Sequence, residues 1–265
     1  YTRSLELDPT NVMALTNHAR IYHEKGELDK AIAEFTQVIK MDPENISAHY
    51  YRGVAYQTKK DLNKALEDFS RVLSFDPEFV FAWVERATTK WLMGDIDGVI
   101  RDTTRAIELD PDSGKSFAYR GSARKVKGDL EGAHNDLSHC IRLNPELSES
   151  WANRGSIRAE RNDQKGAIED FTRALELNPG LGEIWYNRGR CRVESGDYSG
   201  ALPDLSRAIE LDPENASFYN NRGNVRQAKG DLDGAVADFT QAIALDPNNA
   251  AVYNNRGTAR QAKGD

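Results

Sequence analysis

The dipeptide Asp-Pro or Asn-Pro recurs along this chain at a fixed interval. Its prolines are Pro9, Pro43, Pro77, Pro111, Pro145, Pro179, Pro213 and Pro247, each 34 residues after the last, without an insertion or deletion. Eight of the nine prolines are accounted for in this way. A period of that length marks a stack of supersecondary units, so it constrains the fold more than any bulk property does. With this proline as position 32, units begin at Val12, Ile46, Val80, Gly114, Ser148, Gly182, Ala216 and Ala250.

Down the units, some positions keep one kind of residue. Position 4 is usually a ring, as in Trp83, Phe117, Trp151, Trp185 and Tyr219. Position 8 is always Gly or Ala, position 20 is Ala or Val, and position 24 is mostly Phe or Leu, with Thr103 breaking the row. These rows have helical spacing on either side of a break near position 15. The break carries Gly26, Gly94, Gly128, Gly196, Gly230 and Gly264, with Asn162 and Lys60 in the two remaining units. Gly and Asn tolerate the left-handed backbone that ends a helix. An acid follows each time, from Glu27 and Asp61 to Asp231, placed to cap a second helix. Each unit is thus predicted to be an antiparallel helix hairpin, with small residues at positions 8 and 20 letting the helices approach. One hairpin cannot bury enough apolar surface to offset its chain entropy, whereas stacked neighbours can. An all-α chain of fifteen or so helices without a sheet is expected. Pro203, inside the second helix of its unit, predicts a kink or a late helix start there.

These rows resemble the tetratricopeptide repeat over essentially the whole chain. The resemblance implies a right-handed α–α superhelix, a solenoid whose first helices line a concave groove at positions 2, 5, 6, 9, 12 and 13. It also implies a binding module for protein or peptide. One departure stands out. Position 7, apolar in the family, is here Arg52, Arg86, Arg120, Arg154, Arg188, Arg222 and Arg256, and position 11 turns from Tyr22 and Tyr56 to Lys or Arg. Position 23 is acidic in every complete unit, so a ladder of ion pairs between helices is expected; a cationic ribbon for an acidic partner is the rival reading.

In this register, residues 12–249 form seven complete units: 12–45, 46–79, 80–113, 114–147, 148–181, 182–215 and 216–249. Residues 1–11 align with residues 171–181 and read as the second half of a truncated repeat; residues 250–265 read as the first helix of a further one. The chain is expected to belong to a longer protein.

Composition and motifs exclude several function classes. The net charge of −7 is spread evenly and offers no global attraction to nucleic acid or to an anionic membrane. No stretch approaches the roughly 18 apolar residues of a membrane span. Cys140 and Cys191 lack metal or disulfide spacing, which favours a reducing, cytoplasmic compartment. The five histidines are scattered and no catalytic motif occurs, so neither an enzyme activity, a metal nor a cofactor is expected. Oligomeric state is left open.

The groove rows carry the functional expectation. Position 6 reads Asn153, Asn187, Asn221 and Asn255 in four consecutive units. Asn is a mediocre helix former, and its carboxamide offers the donor and acceptor that match a peptide backbone. The row is similar to the asparagine ladder of the O-linked N-acetylglucosamine transferase superhelix. The bland alternative is a harmless Asn duplicated with its repeat. Asn220 and Asn254 at position 5 extend the strip. Towards the N-terminus, the groove positions hold Tyr50, Tyr51, Phe81, Trp91 and Tyr119, with Val54, Val84 and Leu92. Clustered rings suit interface anchors; irregular packing of the third unit would explain them equally. The carboxylate clamp of chaperone-binding relatives is not matched, since Lys115 is the only cation at position 2. The leading expectation is a scaffold holding an extended peptide. The substrate-binding arm of an enzyme whose catalytic domain lies elsewhere, and a spacer without a specific ligand, are the alternatives.

Overall fold

The computed structural model describes residues 1–264. Asp265, which the sequence register assigns to the last half repeat, lies outside them. The described residues form sixteen helices and no strand. They fall into two compact units, Tyr1–Leu143 and Asn144–Asp265. The first unit holds α1 (Thr2–Leu7), α2 (Val12–Glu24), α3 (Leu28–Met41), α4 (Ile46–Thr58), α5 (Leu62–Phe75), α6 (Val80–Met93), α7 (Ile96–Leu109), α8 (Gly114–Val126) and α9 (Leu130–Leu143). The second holds α10 (Ser148–Glu160), α11 (Gln164–Leu177), α12 (Gly182–Glu194), α13 (Tyr198–Leu211), α14 (Ala216–Ala228), α15 (Leu232–Leu245) and α16 (Ala250–Lys263).

Close packing inside each hairpin follows from the small residue at position 8. A methyl added at Gly53 would lie 2.9 Å from the Phe69 ring, and one at Gly223 would lie 2.7 Å from Phe239. The rings at position 24 therefore pack directly on bare backbone. Phe35, Phe69, Leu137, Phe171, Leu205 and Phe239 are all fully buried there. In the third repeat the smaller Thr103 occupies this position, opposite Ala87 rather than Gly, and both are buried.

Backbone chemistry sets the turns. All six glycines at position 15 have φ between 76° and 89°, and Lys60 and Asn162 adopt the same left-handed form at 62° and 61°. The following residue closes a six-to-one bond, as in Asp61 N–H to Tyr56 C=O at 2.9 Å.

Two sequence expectations are corrected. Capping by the acid at position 16 is not universal. Asp95, Asp129, Asp163, Asp197 and Asp231 accept from the backbone N–H of a glycine three residues on. Glu27 and Asp61 make no such cap. The residue three on is there a lysine, and Lys30 and Lys64 take the carboxylate instead. Of the two outcomes expected at Pro203, the late helix start is not seen, since α13 starts at Tyr198 and keeps the 14 residues of its counterparts with Pro203 inside it. Pro203 and Ser199 both face solvent, so the carbonyl that the proline leaves unbonded can reach water.

The order of layers positions the site. In the first unit α2 approaches α4, α4 approaches α6 and α6 approaches α8; in the second α10 approaches α12, α12 approaches α14 and α14 approaches α16. Among the described residues no second helix approaches another second helix. Within each unit the first helices therefore form the inner layer, and their side chains at positions 2, 5, 6 and 9 share one surface.

Candidate functional site

Beneath that surface the arginines of position 7 are committed to internal carboxylates. Arg52, Arg86 and Arg120 each donate through Nε and Nη2 to both oxygens of Asp68, Asp102 and Asp136, at 2.8–2.9 Å. In the second unit Arg154, Arg188 and Arg222 grip Asp170, Asp204 and Asp238 in the same way, at 2.7–2.9 Å. The remaining Nη1 reaches a hydroxyl of the preceding repeat, as in Arg52 to Thr36 at 3.1 Å and Arg188 to Thr172 at 3.0 Å. One guanidinium thus joins the two helices of its own hairpin to the hairpin before it. Burial opposes the charge on Arg52, but the Asp68 bonds outweigh it and hold its pKa above the ordinary value. For Arg222 the Asp238 bond is the main cause of the same upward shift. The cation at position 11 adds a second arm, with Lys90 on Asp102 and Arg192 on Asp204, each at 2.8 Å. The rings of position 4 stack on the arginines, and Trp83, Trp151 and Trp185 donate their indole N–H to the carbonyls of Pro77, Pro145 and Pro179. This network leaves the inner layer to other residues.

In the second unit α10, α12, α14 and α16 carry Asn153, Asn187, Asn221 and Asn255, all half-buried. Asn221 donates to the Tyr186 hydroxyl at 3.0 Å and to the Ser217 carbonyl at 2.9 Å. Asn255 donates to Asn220 Oδ1 at 3.1 Å. Asn153 is engaged within the protein. Asn187 has no hydrogen-bond partner among the described residues. Asn224 and Asn254 are exposed beside the row.

In the first unit the expected rings fall into two groups. Tyr50 meets Tyr51 edge-on at 5.2 Å and Phe79 at 5.3 Å, and Phe79 meets Phe81 at 6.0 Å. Phe81 is 67% exposed. Burial, with Glu85 and Tyr51 nearby, pushes the Tyr50 phenol up to about 12. Glu85 is itself paired with Lys115 at 2.9 Å. Trp91 and Tyr119 form the second group, 6.5 Å apart. Trp91 is half-buried against Ala87, Val99 and Ala123, while Leu92 beside it is exposed. Val84, counted among the groove residues from sequence, is buried. A further cleft of about 360 Å³ opens between α2 and α4, lined by Val12, Met13, Thr16, Asn17, Asn45 and Ser47. Sequence reasoning did not single it out; the exposed apolar Met13 at a groove position was its only signal.

Comparison with known proteins settles the family. Models described as TPR repeat or tetratricopeptide repeat match residues 1–33, 19–60, 46–79, 148–181, 189–230 and 224–264. The chain belongs to the tetratricopeptide-repeat family. No curated protein sequence matches it significantly. Solved tetratricopeptide-repeat structures share its fold. YrrB, described as a TPR protein with an unusual peptide-binding site, is 21% identical, covering 73% of this chain and all of its own, with a TM-score of 0.67. PilF of Pseudomonas aeruginosa is 17% identical over 80% of this chain and 97% of its own, with a TM-score of 0.70. A chain of the APC/C hetero-tetramer Cut9–Hcn1 is 23% identical over 97% of this chain and 51% of its own, with a TM-score of 0.66.

Tetratricopeptide-repeat arrays are in general scaffolds for protein interaction. Among the described residues no group of His, Cys, Asp or Glu could hold a metal ion, and no helix is long and apolar enough to cross a membrane. Cys140 and Cys191 are both buried. Burial, with Glu194 nearby, pushes the Cys191 thiol up to about 11 and leaves it unreactive. His18 and His49 are bound to Glu34 and Asp68, each at 2.9 Å. His18 fills the arginine's place in the ladder.

Proposed function

We propose that each inner layer holds an extended segment of another protein, without catalysis. The observation that carries this reading is the division of labour on the first helices. The ladder at positions 7, 11 and 23 pairs its arginines with internal carboxylates, while the first helices also carry half-buried carboxamides such as Asn187 and the exposed ring of Phe81. Carboxamides suit a backbone, and exposed rings such as Phe81 suit side-chain anchors. Affinity follows from the balance of terms. One hydrogen bond contributes about 0.5–1.5 kcal/mol net, and ordering a flexible peptide costs about 4–15 kcal/mol. Asn221 has already spent its donors. The carboxamide row alone therefore binds weakly and with little sequence preference, and anchors supply the rest. A relative described as having a peptide-binding site points the same way.

The test is selection of peptides from a displayed random dodecapeptide library on the 265-residue chain. Selected peptides are then titrated against a variant with Asn153, Asn187, Asn221 and Asn255 all replaced by Ala, and against Phe81→Ala. Weakened binding in either folded variant supports the reading. Undiminished binding in both moves the site to another surface, and failure to select any peptide favours a spacer.

A further inference from the structure

The four asparagines are one row in sequence but not in chemistry. We infer that Asn187 is the member whose carboxamide reads the bound backbone, whereas Asn221 and Asn255 are clasps between repeats. This rests on the peptide-binding reading above.

The distinction lies in an offset of 35 residues. Asn221 reaches Tyr186, and Asn255 reaches Asn220, each bonding the side chain at position 5 of the repeat before its own. Each clasp ties two neighbouring first helices of the inner layer, α12 to α14 and α14 to α16. The same offset from Asn187 lands on Ala152, whose methyl group accepts nothing. Asn187 is half-buried and keeps its two N–H groups and its carbonyl oxygen unspent among the described residues. Those are the groups an extended chain needs, one acceptor for its N–H and one donor for its C=O. A half-dehydrated carboxamide exchanges ordered water for such a partner at little cost. Asn221, with both N–H groups spent, retains only its oxygen. Among Asn187, Asn221 and Asn255, an acceptor at position 5 of the preceding repeat thus accompanies the clasp, and Ala152 accompanies the unspent carboxamide.

The experiment uses the library-selected dodecapeptides on the full chain, with Kd from fluorescence polarisation and Tm from circular dichroism. Asn187→Ala should weaken binding about three- to tenfold, the value of one lost hydrogen bond, and leave Tm in place. Asn221→Ala and Asn255→Ala should lower Tm and weaken binding less. Ala152→Asn offers Asn187 the missing acceptor. Repeats with Tyr186 and Asn220 at this position show that the backbone admits a larger side chain. It should raise Tm and weaken binding together, a combination that unfolding cannot produce. Peptides that bind Asn187→Ala as tightly as the parent, or that lose equally at Asn221, overturn the assignment while leaving peptide binding intact. Failure of every selected peptide to bind the parent removes the underlying reading, and the assignment with it.

Discussion

Arg188 and Asp204 meet across the α12–α13 hairpin as a fork, with Nε donating to Oδ2 at 2.9 Å and Nη2 to Oδ1 at 2.7 Å. Their side chains are only 9% and 2% exposed. The aspartate accepts a third bond from Arg192 at 2.8 Å. The arginine carries its third bond to Thr172 of the repeat before. A buried pair of this kind adds little over a well-packed apolar pair, but breaking it strands a charge. Asp204→Ala is expected to lower stability by about 3–5 kcal/mol. Arg188→Met with Asp204→Leu should recover most of that loss. Urea midpoints of the three proteins check the order; a double variant as unstable as Asp204→Ala would show that the fork itself supplies net stability.

Glycines at one repeat position should respond with opposite sign. Gly223→Ala puts a methyl 2.7 Å from the Phe239 ring and is expected to cost about 1–3 kcal/mol by overpacking. Gly257→Ala has nothing within 4 Å and lies inside α16, where alanine is the better helix former by about 0.8–1 kcal/mol. Thermal unfolding of the two variants reads the signs directly.

Lys60 holds φ at 62° where six other repeats use glycine. A left-handed backbone costs an ordinary L-residue about 1–2 kcal/mol, partly offset by the extra freedom glycine brings to the unfolded chain. Lys60→Gly is therefore expected to stabilise by about 0.5–1 kcal/mol, seen as a raised urea midpoint.

Tyr50 supplies a pH dependence with a definite sign. Burial, then Glu85 and Tyr51, raises its folded pKa to about 12, above the ordinary phenol value. A folded pKa above the unfolded one means that the neutral phenol contributes its stability below the unfolded pKa. That contribution fades as pH rises from about 10 towards 12. Burial also raises the Tyr186 phenol, so ultraviolet titration should show more than one phenol ionising late, and Tyr50→Phe should remove one of those steps together with its share of the alkaline loss of stability.

Much of this arrangement was legible in the sequence. The 34-residue proline ruler gave the hairpins, and an acid at position 23 opposite Arg at position 7 predicted the ladder formed by Arg154, Arg188 and Arg222 with Asp170, Asp204 and Asp238. What stayed hidden depends on contacts between repeats or on neighbours a few residues away. Whether Asp61 caps its helix is decided by Lys64, and whether Asn221 is a clasp is decided by Tyr186. Trp91 reads from its position as either a groove anchor or a packing residue, and its contacts with Val99 and Ala123, which the sequence does not show, leave it half-buried. Pro203 reads as a kink or a late helix start, yet α13 begins at Tyr198 and runs through the proline, which faces solvent.

The central claim is that the inner layer of first helices takes an extended peptide. The most direct measurement is photo-crosslinking of a library-selected dodecapeptide carrying a benzophenone at successive positions, with attachment sites read by mass spectrometry. The account predicts crosslinks on α10, α12, α14 and α16 or on α4, α6 and α8, at positions beside Asn187 or Phe81, moving along one layer as the benzophenone moves along the peptide. Crosslinks confined to the second helices, such as α11, α13 and α15, would contradict it.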